Sequence, residues 1–402
     1  MTPKAYTVGT HRAICPEETV QRVGDCLDRF GITRVADITG LDRIGIPVMA
    51  AYRPTARSLA VSMGKGVTPA AATASAVMES IELWHAERPI LPLLWGPACD
   101  LQSGHRLVDW SLLPRMPGAI FDARTPTAWV EAFSLAGGDT VLVPYESVHT
   151  DGRVPEPSGS GWFVSTSNGL ASGNTIVEAQ VHGLCEVIER DAVTLWRLAG
   201  NLHATAIELG SITDPVCEDL LARLDAADLS VLIHDATSDI SIGTVHCTLL
   251  ERGADPDLIV YATSGMGCHP CPVVALSRAL TEAAQSRLTL ISGARDDVGR
   301  ARYHAPAHQD RHLARVLGSS LAAHRSFAEL PDRSTRSLEG DLDAVVTELL
   351  RQGFHPYWVD LTQPHIGAAV GRAIVPGLEL LNDVEDYRPG PRARAMLEAM
   401  EA

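Results

Sequence analysis

The chain has 402 residues, 46% of them hydrophobic and 20% charged, and its formal net charge at pH 7 is -16. This length can bury a large core, in one big domain or in two to three ordinary ones. The acidic balance excludes a nonspecific grip on nucleic acid, because displacing counterions from phosphates needs a basic surface. We expect no nucleic-acid partner. A bound polyanion would need a local source of positive charge, such as metal ions.

The sequence contains no stretch typical of export or membrane insertion. The start, "MTPKAYTVGTHRAICPEE", lacks the apolar core of a signal peptide, and no run approaches about eighteen uninterrupted apolar residues. The eight cysteines are scattered, as in proteins with reduced thiols. Only Cys268 and Cys271 in "CHPC" have metal or redox spacing, and Pro270 and Pro272 favour a turn there. These features predict a cytoplasmic protein that does not contact a membrane.

The predicted elements mix helices and strands along the chain. Apolar residues at helical spacing predict helices at residues 16–30, 70–87, 175–198 and 274–291. Short β-like runs predict strands at 58–63, 127–135, 229–237, 242–251, 258–265, 355–362 and 368–376. Residues 294–312 carry charge, His and Pro with little periodicity and are predicted as a loop. Because the order lacks regular strand-helix alternation, the fold class is predicted to be α+β.

The last three of these helices share a polar stripe. "SAVMESIE" (75–82), "HGLCEVIE" (182–189) and "RALTEAAQ" (278–285) each have a polar residue, a Glu four residues later, and a Glu or Gln seven residues later. At roughly 100° per residue these positions lie within roughly 60° of one another. One alternative is that the stripes are solvated outer faces of amphipathic helices. Against it, the stripes are narrow and lack the interleaved Lys and Arg of a solvated face.

The other alternative is that the stripes face inward together. The carboxylates concerned would then be Glu79, Glu82, Glu186, Glu189 and Glu282. Glu178 would lie one helical turn before the start of the second stripe. Such a buried cluster survives only with raised pKa values or with bound cations. Because Mg²⁺ typically bridges a few carboxylates to substrate phosphates, this alternative predicts a nucleoside triphosphate held through metal.

Other residues fit a phosphate site, although the P-loop sequence is absent. Lys65 lies between two glycines, where backbone and ammonium can both approach a ligand. Asn174 and Thr175 can each cap the helix that carries Glu178, and helix N-termini attract anions. Cations near the stripes come from Arg190, Arg278 and Arg287. For each arginine, an ordinary ion pair with a neighbouring carboxylate is the open alternative.

Four segments carry a family resemblance: "GKGVTPAAATASAVMESIE", "SNGLASGNTIVEAQVHGLCEVIERDA", "ALSRALTEAAQSRLTLISGARDD" and "IVPGLE". In this order and spacing the chain resembles the YcaO family from about residue 60 to 380. The resemblance implies an α+β fold with mixed sheets, in which three long helices converge on a central nucleotide site. It also implies an N-terminal helix/strand segment (1–60) followed by a YcaO catalytic domain (61–402).

The resemblance implies an activity as well. Members of the family use ATP and Mg²⁺ to phosphorylate the oxygen of a peptide backbone amide. A nucleophile then adds to the amide carbon and phosphate leaves. A Cys, Ser or Thr side chain gives an azoline, an amine gives an amidine, and a sulfide donor gives a thioamide.

The family's functional residues transfer to matching positions of this chain. The expected catalytic residues are Glu79, Glu189 and Arg190. The expected cofactor-binding residues are Lys65, Ser75, Asn174, Glu178, Arg190, Arg278, Glu282 and Gln285. The expected metal ligands are Glu79, Glu82, Glu178, Glu186, Glu189 and Glu282.

The sequence also departs from the family pattern. Leu83 stands where many relatives have Arg, and the end "YRPGPRARAMLEAMEA" replaces the proline-rich tail of azoline-forming relatives with a predicted helix after Pro391. The N-terminal segment resembles members paired with a TfuA partner, which are tied to thioamide formation. The expected partners are a peptide substrate and a TfuA-type or peptide-recognition protein, and a homodimer stays open. Two alternatives remain: an ATP-dependent amide-forming or phosphotransfer enzyme that acts on a carboxylate, and a non-catalytic scaffold.

Overall fold

The structure is a computed structural model that describes residues 1–200, 205–252, 260, 262–303, 325–382 and 387–401. The helices are α1 (Pro16–Gly24), α2 (Pro69–Glu87), α3 (Ala98–Leu101), α4 (Ile176–Ala199), α5 (Pro215–Ala226), α6 (Pro272–Ser292), α7 (Arg300–Tyr303), α8 (Leu338–Arg351) and α9 (Pro391–Glu401). The strands are β1 (Arg34–Asp37), β2 (Val48–Tyr52), β3 (Val61–Lys65), β4 (Leu94–Gly96), β5 (Thr127–Ser134), β6 (Thr140–Pro144), β7 (Leu170–Gly173), β8 (Leu229–Asp235), β9 (Thr244–Glu251), β10 (Ala262–Cys268), β11 (Tyr357–Asp360) and β12 (Ala369–Ile374).

The described strands form three sheets whose neighbouring strands run antiparallel. β1, β2 and β3 make the first sheet in that order, and β10, β9 and β8 make the second. The third sheet has the order β4-β5-β11-β12-β7, with β6 also paired to β5. Each sheet supplies one strand, β3, β10 or β7, that leads through a short turn into one of the long helices α2, α6 or α4. The predicted α+β class is confirmed.

Most predicted elements are found, with shifted boundaries. The helix predicted at residues 16–30 is wrong in its second half: it ends at Gly24, and Asp28–Phe30 form a separate 3-10 turn. Gly and Asp at positions 24 and 25 are poor helix formers, which accounts for the early end. The "CHPC" segment forms the turn from β10 into α6. Of the loop predicted at 294–312, residues 300–303 are helical and 304–312 lie outside the described residues.

Glycines set the close approach between these strands and helices. Gly64 in β3 lies directly against the backbone of α2, and Gly265 in β10 lies against the backbone of α6, so that a Cβ on either would collide with it. In α4 the position of Gly183 is equivalent in effect, since a Cβ there would lie 2.9 Å from the carbonyl oxygen of Gly169. The helices are therefore held at backbone contact distance from the sheets. This contact fixes how far the side chains of each helix stand from its sheet.

A buried ion pair ties the β2–β3 loop to the end of α2. The Arg53 side chain is 2% exposed and that of Glu87 is 0% exposed, and their Nη2 and Oε2 atoms are 2.5 Å apart. Arg53 also donates to the carbonyl oxygen of Ser80 at 2.8 Å, and the hydroxyl of Ser58 donates to Glu87 at 2.6 Å. Removing one partner of such a pair leaves the other charge buried without compensation.

We expect Glu87→Ala to lower the free energy of unfolding by about 3–5 kcal/mol, because Arg53 stays buried without its carboxylate. Glu18→Ala is the control, since Glu18 pairs with Arg22 at 3.0 Å on the exposed face of α1 and should change stability by less than about 1 kcal/mol. Chemical denaturation of both variants gives the measurement. Equal effects of the two substitutions would contradict the role of the buried pair.

Candidate active site

The three long helices place their acidic residues at the same depth. Glu79, Glu186 and Glu282 are each the eleventh residue of α2, α4 and α6, counted from Pro69, Ile176 and Pro272. The fourteenth residues are Glu82, Glu189 and Gln285. Positions three apart lie on the same face of a helix, so each helix presents one pair of polar side chains. The six polar groups therefore stand at equal distances from the starts of their three helices, although the helices differ in length.

Five of these side chains face one another, and we call them the acid cluster: Glu79, Glu82, Glu186, Glu189 and Glu282. Glu79 feels the charges of Glu186 and Glu282, and Glu82 feels those of Glu79 and Glu186. Glu189 feels those of Glu282 and Glu186. The structure therefore brings the stripes together, and the alternative of three separate solvated faces does not describe them.

Burial and mutual repulsion disfavour the charged form of several members. Burial raises the pKa of Glu79 to about 7, opposed by Arg295 and Lys65. Burial also raises the pKa of Glu82 to about 8, although the Ser172 hydroxyl donates to its carboxylate. Burial is also the main cause that raises the pKa of Glu189. Near neutral pH the cluster must hold protons or bind cations.

Each helix has at least one carboxylate anchored to a neighbouring element. Glu82 Oε1 accepts from the backbone nitrogen of Ser172 at 2.8 Å and from its hydroxyl at 2.6 Å. Glu186 Oε1 accepts from Gly169 N at 3.3 Å, and Glu282 Oε2 lies 2.5 Å from Lys65 Nζ. These contacts pin the side chains to the entry of β7 and the end of β3.

Glu189 is a member of the acid cluster with a buried oxygen that lacks a hydrogen-bond partner among the described residues. Its side chain is 2% exposed, and its Oε2 has no hydrogen-bond partner among the residues that the structure describes. An unpaired buried carboxylate oxygen is costly unless a ligand completes it. The donor set of the cluster consists of carboxylate oxygens, which are the ligands that Mg²⁺ prefers. On this chemistry the cluster fits a magnesium ion.

Three cations surround one end of the acid cluster. Arg190 Nη1 lies 3.6 Å from Glu189 Oε1 and also donates to the sulfur of Met266 at 3.2 Å. Arg278 Nη2 lies 3.4 Å from His182 Nε2. Burial alone would raise the pKa of Glu282, but Lys65, Arg190 and Arg278 together hold it below its ordinary value.

Arg287 does not belong to this group. Its buried guanidinium lies 2.8 Å from Asp42 and 2.8 Å from Glu251, on the side of α6 that packs on the first and second sheets. The hypothesis that Arg287 supplies a cation to the stripes is therefore wrong, and the ion-pair alternative holds. The reason is angular: five residues beyond Glu282 on a helix is well off the stripe.

Glu178 lies outside the acid cluster. Its Oε1 accepts from the backbone and side-chain nitrogens of Asn174 at 3.2 and 3.0 Å, and its Oε2 accepts from Ala13 N at 2.8 Å. Arg12 Nη1 lies 3.7 Å from it. The structure thus groups Glu178 with Asn174 and the N-terminal segment rather than with the other predicted metal ligands.

Glu178 lines a cavity of about 20 Å³ next to the cluster. The cavity is also lined by His11, Arg12, His182 and Arg278. Arg278 therefore connects this cavity to the acid cluster. Thr175, not Asn174, caps α4, since its side chain accepts from the backbone nitrogen of Glu178 at 3.2 Å.

Two further predicted residues lie near the cluster in different ways. Ser75 is half-buried on α2, one turn before Glu79. Gln285 donates to the carbonyl oxygen of Met63 at 2.7 Å, and its Oε1 is buried without a partner among the described residues. Leu83, the departure from the family pattern, is buried in the core behind α2.

Sequence reasoning missed several residues that touch this region. Ser172 and Gly169 hold Glu82 and Glu186, and Arg12 approaches Glu178. Ser172 and Gly169 lie inside a segment that carried the family resemblance, which is the signal that could have found them. Arg12 is 166 positions from Glu178, and no spacing in the sequence indicates that contact.

Comparison with known families decides which family the chain belongs to. The model of the family described as YcaO cyclodehydratase, ATP- and Mg²⁺-binding, matches residues 63–379. The chain belongs to the YcaO family. The resemblance seen in the sequence is confirmed, and so is the prediction of ATP and Mg²⁺ as cofactors, which the family description names.

Two of the similar proteins span nearly the whole YcaO chain, and a third spans three quarters of it. An uncharacterised protein of Methanothermobacter thermautotrophicus is 39% identical over 96% of this chain and 99% of its own. A protein of Rhizobium leguminosarum bv. trifolii, described as lying in the tfuA 3' region, is 34% identical over 97% of this chain and 94% of its own. A protein of Mycobacterium tuberculosis is 38% identical over 75% of this chain and 67% of its own.

Solved structures share the fold. A heterocyclase in complex with substrate and cofactor superposes with a TM-score of 0.78 at 21% identity, covering 94% of this chain and 54% of that one. YcaO from Methanopyrus kandleri, bound with AMPPCP and Mg²⁺, superposes with a TM-score of 0.75 at 24% identity, covering 97% of this chain and 100% of that one. In the described part of the present chain, no helix combines the length and apolarity needed to cross a membrane.

Proposed function

We propose that this YcaO protein uses ATP to activate a backbone amide of a ribosomally made peptide or protein. The observation that carries the proposal is the acid cluster, in which three helices bring five carboxylates together around the unpaired Oε2 of Glu189. An amide oxygen is a poor nucleophile, so catalysis must come from placing it in line with the γ-phosphorus and from neutralising charge. Carboxylates with arginines close to them are suited to both tasks.

The residues divide into three groups in this proposal. Glu79, Glu82, Glu186, Glu189 and Glu282 would hold Mg²⁺, which when bound neutralises phosphate charge. Lys65, Arg190 and Arg278 would face the phosphates, with Ser75 and Gln285 beside them. Asn174 and Glu178, which are hydrogen-bonded to each other outside the cluster, would contact another part of ATP. The family resemblance implies both a cofactor-binding and a metal-ligand role for Glu178, and its hydrogen bonds to Asn174 and Ala13, away from the acid cluster, support the first.

The proposed reaction has two steps that balance. The peptide amide oxygen attacks the γ-phosphorus, the bond to the β-phosphate oxygen breaks, and ADP leaves. A nucleophile then adds to the amide carbon and loses its proton, and inorganic phosphate departs with the former amide oxygen. Where the product is an azoline or an amidine, the amide nitrogen also loses its proton. Glu79, Glu189 and Arg190 are the residues we assign to catalysis, through charge placement rather than proton transfer.

Among the three outcomes, thioamide formation is favoured by the Rhizobium relative from the tfuA 3' region, 34% identical to this chain. The N-terminal segment, residues 1–60, resembles TfuA-associated members, and a TfuA-type partner is therefore proposed. The boundary at residue 60 falls between β2 and β3, which pair with each other, so the segment is part of the first sheet. We propose a cytoplasmic location, where ATP and unmodified peptides are available.

The test is peptide-dependent ATP turnover combined with mass spectrometry. Purified protein is incubated with ATP, Mg²⁺, a sulfide source and unmodified candidate peptides, with and without a TfuA-type protein. Replacement of one oxygen by sulfur indicates a thioamide, and loss of one water indicates an azoline or an amidine. Phosphate release that needs an added carboxylic acid, and not a peptide, would favour the carboxylate-activating alternative. Absence of nucleotide binding with Mg²⁺ would favour a scaffold.

A further inference from the structure

A buried arginine in the third sheet donates to carbonyl oxygens, and not to a carboxylate, in the described part of the chain. Arg372 lies in β12, opposite Leu170 of β7, and is 2% exposed. Its Nη1 donates to the carbonyl oxygen of Ser147 at 2.8 Å, and its Nη2 donates to that of Thr166. Its Nε is buried without a partner among the described residues. A buried guanidinium with one unsatisfied donor destabilises a fold, so it needs a compensating role.

The two carbonyl oxygens belong to segments that support different helices of the site. Ser147 ends a 3-10 turn, and the backbone nitrogen of Thr150, three residues later, donates to Ala86 O near the end of α2 at 2.9 Å. Thr166 precedes the turn that leads into β7, and its Oγ1 accepts from the backbone nitrogen of Asn168 in that turn at 3.0 Å. The guanidinium therefore connects a segment attached to α2 with the entry of β7.

The entry of β7 carries the donors that hold two members of the acid cluster. The backbone nitrogen of Gly169 donates to Glu186 Oε1 at 3.3 Å, and its carbonyl oxygen accepts from the backbone nitrogen of Ala373 at 2.8 Å. Three residues later, Ser172 donates to Glu82 through its backbone nitrogen and its hydroxyl, at 2.8 and 2.6 Å. Hydrogen bonds and short pieces of backbone therefore connect the buried guanidinium to both carboxylates.

Close packing leaves the turn before β7 little room to adjust. Gly169 has a φ of 76°, in the left-handed region. A Cβ at this position would lie 2.3 Å from the carbonyl oxygen of Ala373 in β12 and 2.9 Å from Cγ1 of Val187 in α4. The turn thus lies directly between β12 and α4. A shift at Thr166 would move the Gly169 amide as well, because only two residues separate them.

We propose that Arg372 is a positioning residue: by holding the turn before β7, it keeps Glu186 and Glu82 in the positions that bind Mg²⁺. This inference rests on the proposed function, in which these two carboxylates hold the metal. Groups that orient metal ligands from behind typically contribute about 10- to 100-fold to metal affinity. A guanidinium suits this role because one planar group can donate to carbonyl oxygens of two separate segments.

The experiment measures how nucleotide binding depends on Mg²⁺. Wild type and Arg372→Gln are titrated calorimetrically with AMPPCP at a series of Mg²⁺ concentrations, and thermal unfolding establishes that each protein is folded. We expect the Mg²⁺ concentration for half-maximal binding to rise about tenfold or more in Arg372→Gln. An unchanged or lowered Mg²⁺ requirement overturns the inference.

The direction of this change separates positioning from simple charge. Burial lowers the pKa of Arg372 only to about 10, so the side chain is a cation at neutral pH. Loss of a nearby positive charge would by itself favour a bound cation and lower the Mg²⁺ requirement. A raised requirement therefore reports the lost support of the carboxylates.

Arg287→Gln is the matched control for loss of a buried arginine. Arg287 is 3% exposed and pairs with Asp42 and Glu251 away from the acid cluster. This variant should unfold at a lower temperature than wild type and keep the wild-type Mg²⁺ requirement. A rise equal to that of Arg372→Gln would show that general loosening of the fold is the cause, and it would overturn the inference.

Two milder variants cover the case in which Arg372→Gln does not fold. Thr166→Val keeps the carbonyl oxygen that Arg372 contacts but removes the Oγ1 that accepts from Asn168, and it should raise the Mg²⁺ requirement. Ser167→Ala changes the next position, which is exposed, and should have no effect. Equal effects of these two variants, or no effect of Thr166→Val, overturn the inference.

The wild-type titration separates this inference from the proposed function. If wild type does not bind AMPPCP in the presence of Mg²⁺, the proposed function fails, and the role of Arg372 fails with it. If wild type binds AMPPCP in a Mg²⁺-dependent way and the variants keep the wild-type requirement, the role of Arg372 alone fails.

Discussion

Glu189→Gln should reduce ATP turnover by about 10²–10³ or more while the fold stays intact. Glu189 has the buried, unpaired Oε2, and it lies against Glu186, Glu282 and Arg190. The amide keeps the shape of the side chain but removes the charge that a cation or a developing phosphate charge depends on. Steady-state phosphate release, measured with an unmodified substrate peptide or with ATP alone, gives the result.

The fold of this variant is checked by thermal unfolding. Because a buried carboxylate with a raised pKa is replaced by a neutral group, the metal-free variant should be at least as stable as wild type above neutral pH. Glu131→Gln, at an exposed position on β5, is the activity control. A fully active Glu189→Gln protein would show that the carboxylate does not hold metal.

The metal-free protein should lose stability with rising pH through Glu82. Burial raises the pKa of Glu82 to about 8 in the folded chain, against about 4.3 in an unfolded one. The folded state then binds the extra proton, so its stability is full below about pH 4 and is lost as pH rises toward 8. The slope is at most about 1.4 kcal/mol per pH unit.

Comparison with Glu82→Gln isolates this carboxyl from other titrating groups. Buried histidines act in the opposite direction, since burial lowers the pKa of His149 to about 4, and they are common to both proteins. Chemical denaturation from pH 5 to 8.5 should show wild type becoming less stable relative to Glu82→Gln. With Mg²⁺ and AMPPCP the difference should shrink or reverse, because bound metal favours the charged carboxylate. A difference that does not vary with pH would contradict a raised pKa for Glu82.

The sequence alone predicts which face of each helix carries the acidic residues, but it does not predict what packs around them. Helical periodicity alone predicts that Glu79 and Glu82 share a face, and likewise Glu186 and Glu189. The stripes carry one basic residue, Arg278, and this scarcity of Lys and Arg indicates that these faces turn inward. Which strand each helix packs on depends on glycine contacts between distant segments, such as Gly265 with α6, and periodicity does not contain them.

Glu178 shows that a sequence pattern does not predict which groups a carboxylate contacts in the folded chain. On sequence it lies two turns before Glu186 on α4, and the family pattern adds it to the metal ligands. In the folded chain its carboxylate is taken up by Asn174 and by the backbone of Ala13, a residue 165 positions earlier. Short strands were also missed: β7 consists of "LASG", whose small residues give no β signal although its Ser172 anchors Glu82.

The equal depth of the acidic residues in α2, α4 and α6 restricts how this chain can vary. Inserting or deleting one residue within the first ten positions of any of these helices rotates its carboxylate by about 100° and moves it by about 1.5 Å along the axis. Length changes should be tolerated in connections such as the one between β5 and β6, where residues 136–139 are exposed. Natural insertions and deletions among relatives should therefore fall outside these three ten-residue windows, because the length of each window sets the position of the carboxylate that follows it.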